Sequence, residues 1–97
     1  MPLTERQKKT LRGLGHQLKP VILVGAGGLS PPLLDEFDRS LEHHELMKVK
    51  IKLGDRETRD ALLDRLCRRS GAELVQRTGN IGLLFRRRRR DSRFSTL

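Results

Sequence analysis

The chain has 97 residues, 35% of them hydrophobic and 34% charged, and a formal net charge of +9; a single small domain is the expectation. A charge of that size selects no fold but does select polyanionic partners, either nucleic acid or an anionic membrane surface. No apolar run reaches the roughly 18 residues needed to span a bilayer, the polar stretch from Met1 to Thr10 has no secretory centre, and the lone Cys67 excludes an internal disulfide, so a cytoplasmic protein without a membrane partner is expected.

Thr4 reads as a helix N-cap, with Gln7 closing a capping box. Leu11, Leu14 and Leu18 then share one face, and Lys8, Arg12, His16 and Lys19 form a basic stripe beside it. This helix should end before Pro20, because the residue preceding a proline is pushed out of helical conformation. Val21 to Val24 is a short, wholly apolar and mostly β-branched run, which predicts a buried strand. Gly25-Ala26-Gly27-Gly28 follows, then Ser30 as N-cap and Pro31 at a first helical position. Leu33, Leu34, Phe37 and Leu41 mark the buried face of this second helix, and Asp35, Glu36, Asp38 and Glu42 mark a face that repels phosphate.

Met47 to Leu53 alternates strictly: Met47, Val49, Ile51 and Leu53 point one way, and Lys48, Lys50 and Lys52 the other. Asp55 predicts the start of a third helix whose apolar face is Leu62, Leu63, Leu66 and Cys67 and whose end is Gly71. Ala72–Arg77 and Ile81–Phe85 read as two strands joined by a turn at Gly79-Asn80. The expected fold is a two-layer α/β (α+β) arrangement in the order α-β-α-β-α-β-β. It comprises a four-stranded mixed sheet packed with three helices. The lysine alternation requires that part of one sheet face, or an edge, is wet.

Composition changes sharply after Phe85. Residues 86–97 carry five of the nine net charges, chiefly through Arg86, Arg87, Arg88, Arg89 and Arg90. Five adjacent arginines cannot share a sheet without repulsion. The expectation is therefore a domain over residues 1–85 and a flexible basic tail over 86–97 that settles on a polyanion.

Four constellations bear on function. A glycine-rich loop between a strand and a helix lets backbone approach an anion, with amides of the loop and first helical turn aimed at it. The same loop is also an ordinary tight turn in many proteins. It is not a Walker loop, since no Lys-Ser or Lys-Thr follows, and it is not a dinucleotide fingerprint. The lysine strand, the Lys8–Lys19 stripe and the arginine run supply charge around it, although each alone is compatible with a solvated surface. His43-His44-Glu45 has no further ligand at metal spacing and reads as a helix end. No serine sits in a nucleophile-elbow motif. No catalytic residue, metal site, cofactor or small-molecule substrate is expected, and the chain is read as non-enzymatic. With no Trp or Tyr and only Phe37, Phe85 and Phe94 as aromatic rings, base stacking is disfavoured and a phosphate-and-shape mode is favoured.

Leu3-Thr4, Gln7, Leu11-Arg12, His16, Leu18-Lys19-Pro20-Val21 and Gly25–Gly28 with Leu29-Ser30 resemble the opening of a CRM (YhbY-like) RNA-binding domain. The likeness continues through Glu42–Leu46, Lys48–Ile51, Asp55-Arg56, Gly71-Ala72, Val75-Gln76 and Gly79. The resemblance implies a fold similar to the C-terminal domain of translation initiation factor three and RNA binding through the G-x-x-G loop. As in stand-alone bacterial members, it implies association with large-subunit ribosome precursors. Phe85 stands where the family pattern leads one to expect tyrosine, and the arginine run is heavier than that pattern.

The expected RNA-binding residues are Gly25, Ala26, Gly27 and Gly28 as an amide cradle and Lys8, Arg12, His16, Lys19, Lys48, Lys50 and Lys52 around it. Arg86, Arg87, Arg88, Arg89 and Arg90 serve as an auxiliary clamp. The expected partner is RNA, specifically ribosomal RNA or a large-subunit precursor. The alternative is a protein–protein adaptor on ribosomal particles with only nonspecific RNA affinity.

Overall fold

The computed structural model describes residues 2–97; Met1 lies outside the described residues. Local chemistry sets the helix ends. In α1 (Glu5–Gly15), Thr4 accepts from the Gln7 amide while the Gln7 side chain accepts from the Thr4 amide, completing the predicted capping box. Ser30 caps α2 (Pro31–His44), and Asp55 caps α3 (Arg56–Ser70), which ends at Gly71 in the left-handed conformation. The strands are β1 (Pro20–Val24), β2 (Leu46–Ile51), β3 (Glu73–Thr78) and β4 (Ile81–Phe85).

The sheet order is β1-β2-β4-β3. β1 and β2 run parallel, and the other two pairs are antiparallel. This is the expected α-β-α-β-α-β-β fold with a mixed four-stranded sheet. Because β2 is interior, its lysine alternation marks a wet face rather than an edge. One face carries Ile22, Val24, Met47, Val49, Ile51 and Leu84, packed under Phe37 and Leu41 of α2 and Leu63 and Leu66 of α3. The opposite face is covered only in part: Leu11 of α1 packs with Leu46, Val75, Leu83 and Phe85, joined at the rim by Leu3, Phe94 and Leu97. α1 thus adds a partial third layer to the two formed by α2, α3 and the sheet. The approach of helices to β4 is close on both sides. A Cβ at Gly82 would lie 2.7 Å from a Leu63 methyl, and one at Gly15 2.7 Å from a Leu83 methyl.

Three expectations change. Val21 to Val24 is not a fully buried strand: Ile22 and Val24 are buried, but Val21 and Leu23 are exposed. β1 is an edge strand, and α1 lies over the β2–β4–β3 part of the face without reaching it. For the same reason only Leu11 of the leucine face is buried, while Leu14 is 55% exposed and Leu18, beyond the helix, 38%. Residues 86–97 are not a separate arm in this geometry. Phe94 stacks edge-on against Phe85 with ring centroids 5.2 Å apart, and the Leu97 carbonyl accepts from Gln7. Among the described residues, no helix is long and apolar enough to cross a membrane.

Candidate nucleic-acid interface

The glycine loop follows directly from the end of β1. Its turn is closed by the Gly28 amide donating to the Gly25 carbonyl at 2.9 Å. Gly28 has φ 63°, a conformation that glycine adopts without strain. Gly25 and Gly27 have no such backbone requirement, and a Cβ on either would point into open space. The fold itself therefore does not demand glycine at these two positions. What their missing side chains do is leave the loop backbone open to close approach from outside.

The first turn of α2 does not supply the amides expected of it. Pro31 and Pro32 have no N–H, the Leu33 amide donates to the Ser30 hydroxyl, and the Leu34 amide to the Ser30 carbonyl. Among the described residues, the free donors are those of the loop, with the Ala26 and Gly27 amides accepted by no group of the chain. The helix contributes its dipole instead, and no acidic residue in its first turn cancels that field.

The register places charge beside this loop. Leu23 pairs with Lys50 and Val24 with Ile51, and the Lys52 amide donates to the Val24 carbonyl at 2.7 Å. Lys50 and Lys52 therefore flank the loop. Lys48 pairs with Pro20, immediately after Lys19, so Lys19, Lys48, Lys50 and Lys52 follow the β1–β2 seam up to the glycines. Lys8 and Arg12 are half-buried on α1, and His16 is exposed just past its end. Five ion pairs form among the described residues, through Arg68, Arg69, Arg77, Arg86 and Arg88. None engages Lys8, Arg12, Lys19, Lys48, Lys50 or Lys52. Asp35, Glu36, Asp38 and Glu42 lie on α2, and Glu57, Asp60 and Asp64 on α3, the helices that cover the other face of the sheet. On the α1 side, Glu5 begins the helix and the Glu73 carboxylate accepts from the Leu3 amide; neither pairs with the lysines of the open face.

Arg56, named above only within the family resemblance, and Arg59 are not among the binding residues expected from the sequence. They sit in the first two turns of α3, which begins at the loop beside the glycines; Leu53 comes within 4.0 Å of where a Gly28 Cβ would stand. Arg59 donates to the Gly54 carbonyl, and its Nε has no partner. Basic side chains at a helix N-terminus oppose the dipole, and that mismatch was the available sequence signal.

The arginine run lies at the other end of the sheet. Phe85, which precedes it, pairs with Leu46 at the start of β2, whereas the glycine loop adjoins the end of β2. Arg86 and Arg88 are absorbed into the fold. Arg86 donates to the Ser70 carbonyl and pairs with Glu42; Arg88 donates to the Glu42 and His43 carbonyls. Both cap helix C-termini, where cations are favoured. The organising group is Glu45, fully buried, with φ 64°. Its carboxylate accepts from the Arg88 amide at 2.8 Å, the Arg93 amide at 2.8 Å and the Ser92 hydroxyl. Burial alone raises the Glu45 pKa, but the Ser92, Arg88 and Arg93 hydrogen bonds outweigh it and hold the carboxyl below its ordinary value. A positive φ at a residue with a side chain costs on the order of 1–3 kcal/mol, and these contacts maintain it.

His43 and His44 end α2 as expected, stacked edge-on. Burial first, then the nearby His43 and Arg93, lower the His44 pKa. Cys67 is a half-buried core residue whose thiol is pushed up to about 11 by burial.

A sequence profile of the CRS1 / YhbY (CRM) domain matches residues 3–86. The chain is 47% identical over 87 residues to a Pseudomonas aeruginosa protein named as a probable RNA-binding protein, covering 90% of this chain and 84% of that one. It is 42% identical over 84 residues to a Haemophilus influenzae RNA-binding protein, covering 87% and 85%. The solution structure of the hypothetical protein SAV1595 from Staphylococcus aureus superposes with a TM-score of 0.80 at 30% identity, covering 94% of this chain and 95% of that one.

Proposed function

The chain belongs to the CRS1 / YhbY (CRM) domain family, and from that premise we propose that it binds RNA, with ribosomal RNA in large-subunit precursors as its target. Membership in this family accords with a binding role and no catalytic step. The RNA backbone lies against the Gly25–Gly28 loop. The Ala26 and Gly27 amides meet a phosphate, and Lys50 and Lys52 neutralise its neighbours. Lys48, Lys19, Lys8 and Arg12 extend the contact down the open face, with His16 at its margin. Arg56 and Arg59 bound it on the α3 side.

The observation that carries this reading is the coincidence of two features at one end of the sheet. The loop has glycines the fold does not require, and the lysines beside it have no acidic partner among the described residues. Phosphate-dominated binding follows, with log K falling by roughly 0.7–0.9 per neutralised phosphate for each tenfold rise in salt.

A second reading, an adaptor that docks on a ribosomal protein, draws on one feature. Leu14, Leu18, Val21 and Leu23 are exposed along the α1–β1 side of the same face. Sedimentation with purified large-subunit precursors, before and after stripping their proteins, separates the two. The RNA reading predicts retention on protein-free ribosomal RNA over an unrelated RNA of equal length. Binding only to protein-containing particles would favour the adaptor.

A further inference from the structure

The arginine run contains two populations. Arg86 and Arg88 are half-buried or nearly so, and both are ion-paired. Arg87, Arg89 and Arg90 are exposed and, among the described residues, donate to no group of the chain through their side chains and pair with no carboxylate. The structural and free arginines are interleaved because Glu45 holds the backbone on both sides of each free one: its carbonyl accepts from the Arg86 amide, and its carboxylate accepts from the Arg88 and Arg93 amides. Phe94 on Phe85 secures the far end. The three free guanidiniums are therefore carried on a backbone fixed at several points, beside a groove lined by Glu42, Ser70 and the arginine run itself.

We propose that Arg87, Arg89 and Arg90 form a second, positioned phosphate-binding site at the end of the sheet opposite the glycine loop, with buried Glu45 as the residue that positions it. The inference rests on the RNA-binding reading and adds a two-ended geometry to it. The six residues of β2 separate the ends, about 17 Å at roughly 3.3 Å per residue. One RNA engages both sites only if it spans that length, so short oligonucleotides occupy one site and folded RNA both. Guanidinium forks suit this role, being planar, permanently charged and able to grip a phosphate with two bonds.

A mobile basic tail makes a different prediction, and Glu45→Gln separates the two. This change raises the net charge and leaves every arginine in place. A loosely held tail would then bind RNA as well as before, or better. A positioned site loses affinity, because the neutral amide holds the Arg88 and Arg93 amides less strongly.

The test measures binding of a structured ribosomal RNA across a salt series. It compares the full chain with Arg87→Gln/Arg89→Gln/Arg90→Gln, with Glu45→Gln, and with Ser92→Ala as a milder release of the same clamp. Amide hydrogen exchange over residues 86–97 and over the sheet is followed in each. The expected result for the triple variant is a loss on the order of tenfold at moderate salt and a salt slope smaller by about two. Glu45→Gln and Ser92→Ala should also weaken binding, with faster exchange in residues 86–97 and unchanged exchange in the sheet. Undiminished binding by the triple variant overturns the site. Undiminished binding by Glu45→Gln and Ser92→Ala, with exchange raised in the tail, overturns its positioning. In both cases the RNA-binding reading stands if Gly27→Asp still lowers affinity. If the unaltered chain binds no RNA, that reading falls and this inference with it.

Discussion

Lys50 and Leu23 are register partners on β2 and β1, and both side chains leave the sheet opposite the α2–α3 core, on the part of that face that α1 leaves uncovered. Leu23 is 50% exposed, and Lys50 has no acidic partner among the described residues. This open strip leads directly to the glycine loop. The sheet therefore does two jobs, anchoring a core on one side and presenting charge beside a bare loop on the other.

The charge should be readable as a salt dependence. Replacing Lys50 and Lys52 with glutamine is expected to lower the slope of log K against log salt by about 1.5, at roughly 0.7–0.9 per lost phosphate contact. Arg68→Gln, on the α3 surface and paired with Asp64, should leave the slope unchanged. A filter-binding series on the three proteins, with circular dichroism to confirm the fold, checks both.

The buried carboxylate sets an acid limit on the C-terminal clamp. Glu45 has a folded pKa below its ordinary 4.5. Its contribution is then fully present above about pH 4.5 and is lost as pH falls through the lower folded value. The Arg88 and Arg93 amide resonances should hold their positions from neutral pH down to about 4.5, then shift together at lower pH. In Glu45→Gln that transition should be missing.

Close packing on β4 should be intolerant of added volume. A Cβ at Gly82 would stand 2.7 and 3.0 Å from the two Leu63 methyls and 3.4 Å from Leu74. Leu63 is itself enclosed in the core. Gly82→Ala is expected to destabilise by about 1–3 kcal/mol, seen as a melting temperature lower by several degrees.

Cys67 should be chemically quiet. Burial first, then Asp64 and Glu73, raise its thiol from 9.0 to about 11, which leaves about a hundredfold less thiolate at pH 8 than an unshifted thiol. Alkylation with iodoacetamide at that pH should be slow in the native protein and fast after unfolding.

Much of this architecture was legible in the sequence, and the gaps have physical causes. The capping box at Thr4 and Gln7, the N-caps at Ser30 and Asp55 and the alternation through β2 are local patterns with one structural solution each. The half-exposure of β1 was not legible. An unbroken apolar run says that a strand is buried on both faces only if something covers both, and coverage by α1 is a long-range fact. The clamp around Glu45 was missed for a similar reason. Its partners lie 43 to 48 residues away in sequence, and a carboxylate next to two histidines carries no sign of what it will hold. The proline pair after Ser30, by contrast, was in plain view. Its cost in helix N–H groups could have been read from the sequence, moving the expected donors into the loop.

The most direct test of the central claim is the affinity of Gly27→Asp for structured ribosomal RNA, measured beside the unaltered chain across a salt series. A Cβ at position 27 meets nothing in the fold, so the variant should melt with the parent while placing a carboxylate where the loop meets phosphate. The account predicts a large loss of affinity at every salt concentration with no change in the melting transition. A folded Gly27→Asp protein that binds as tightly as the parent would contradict it, and the glycine loop would then be no more than a turn.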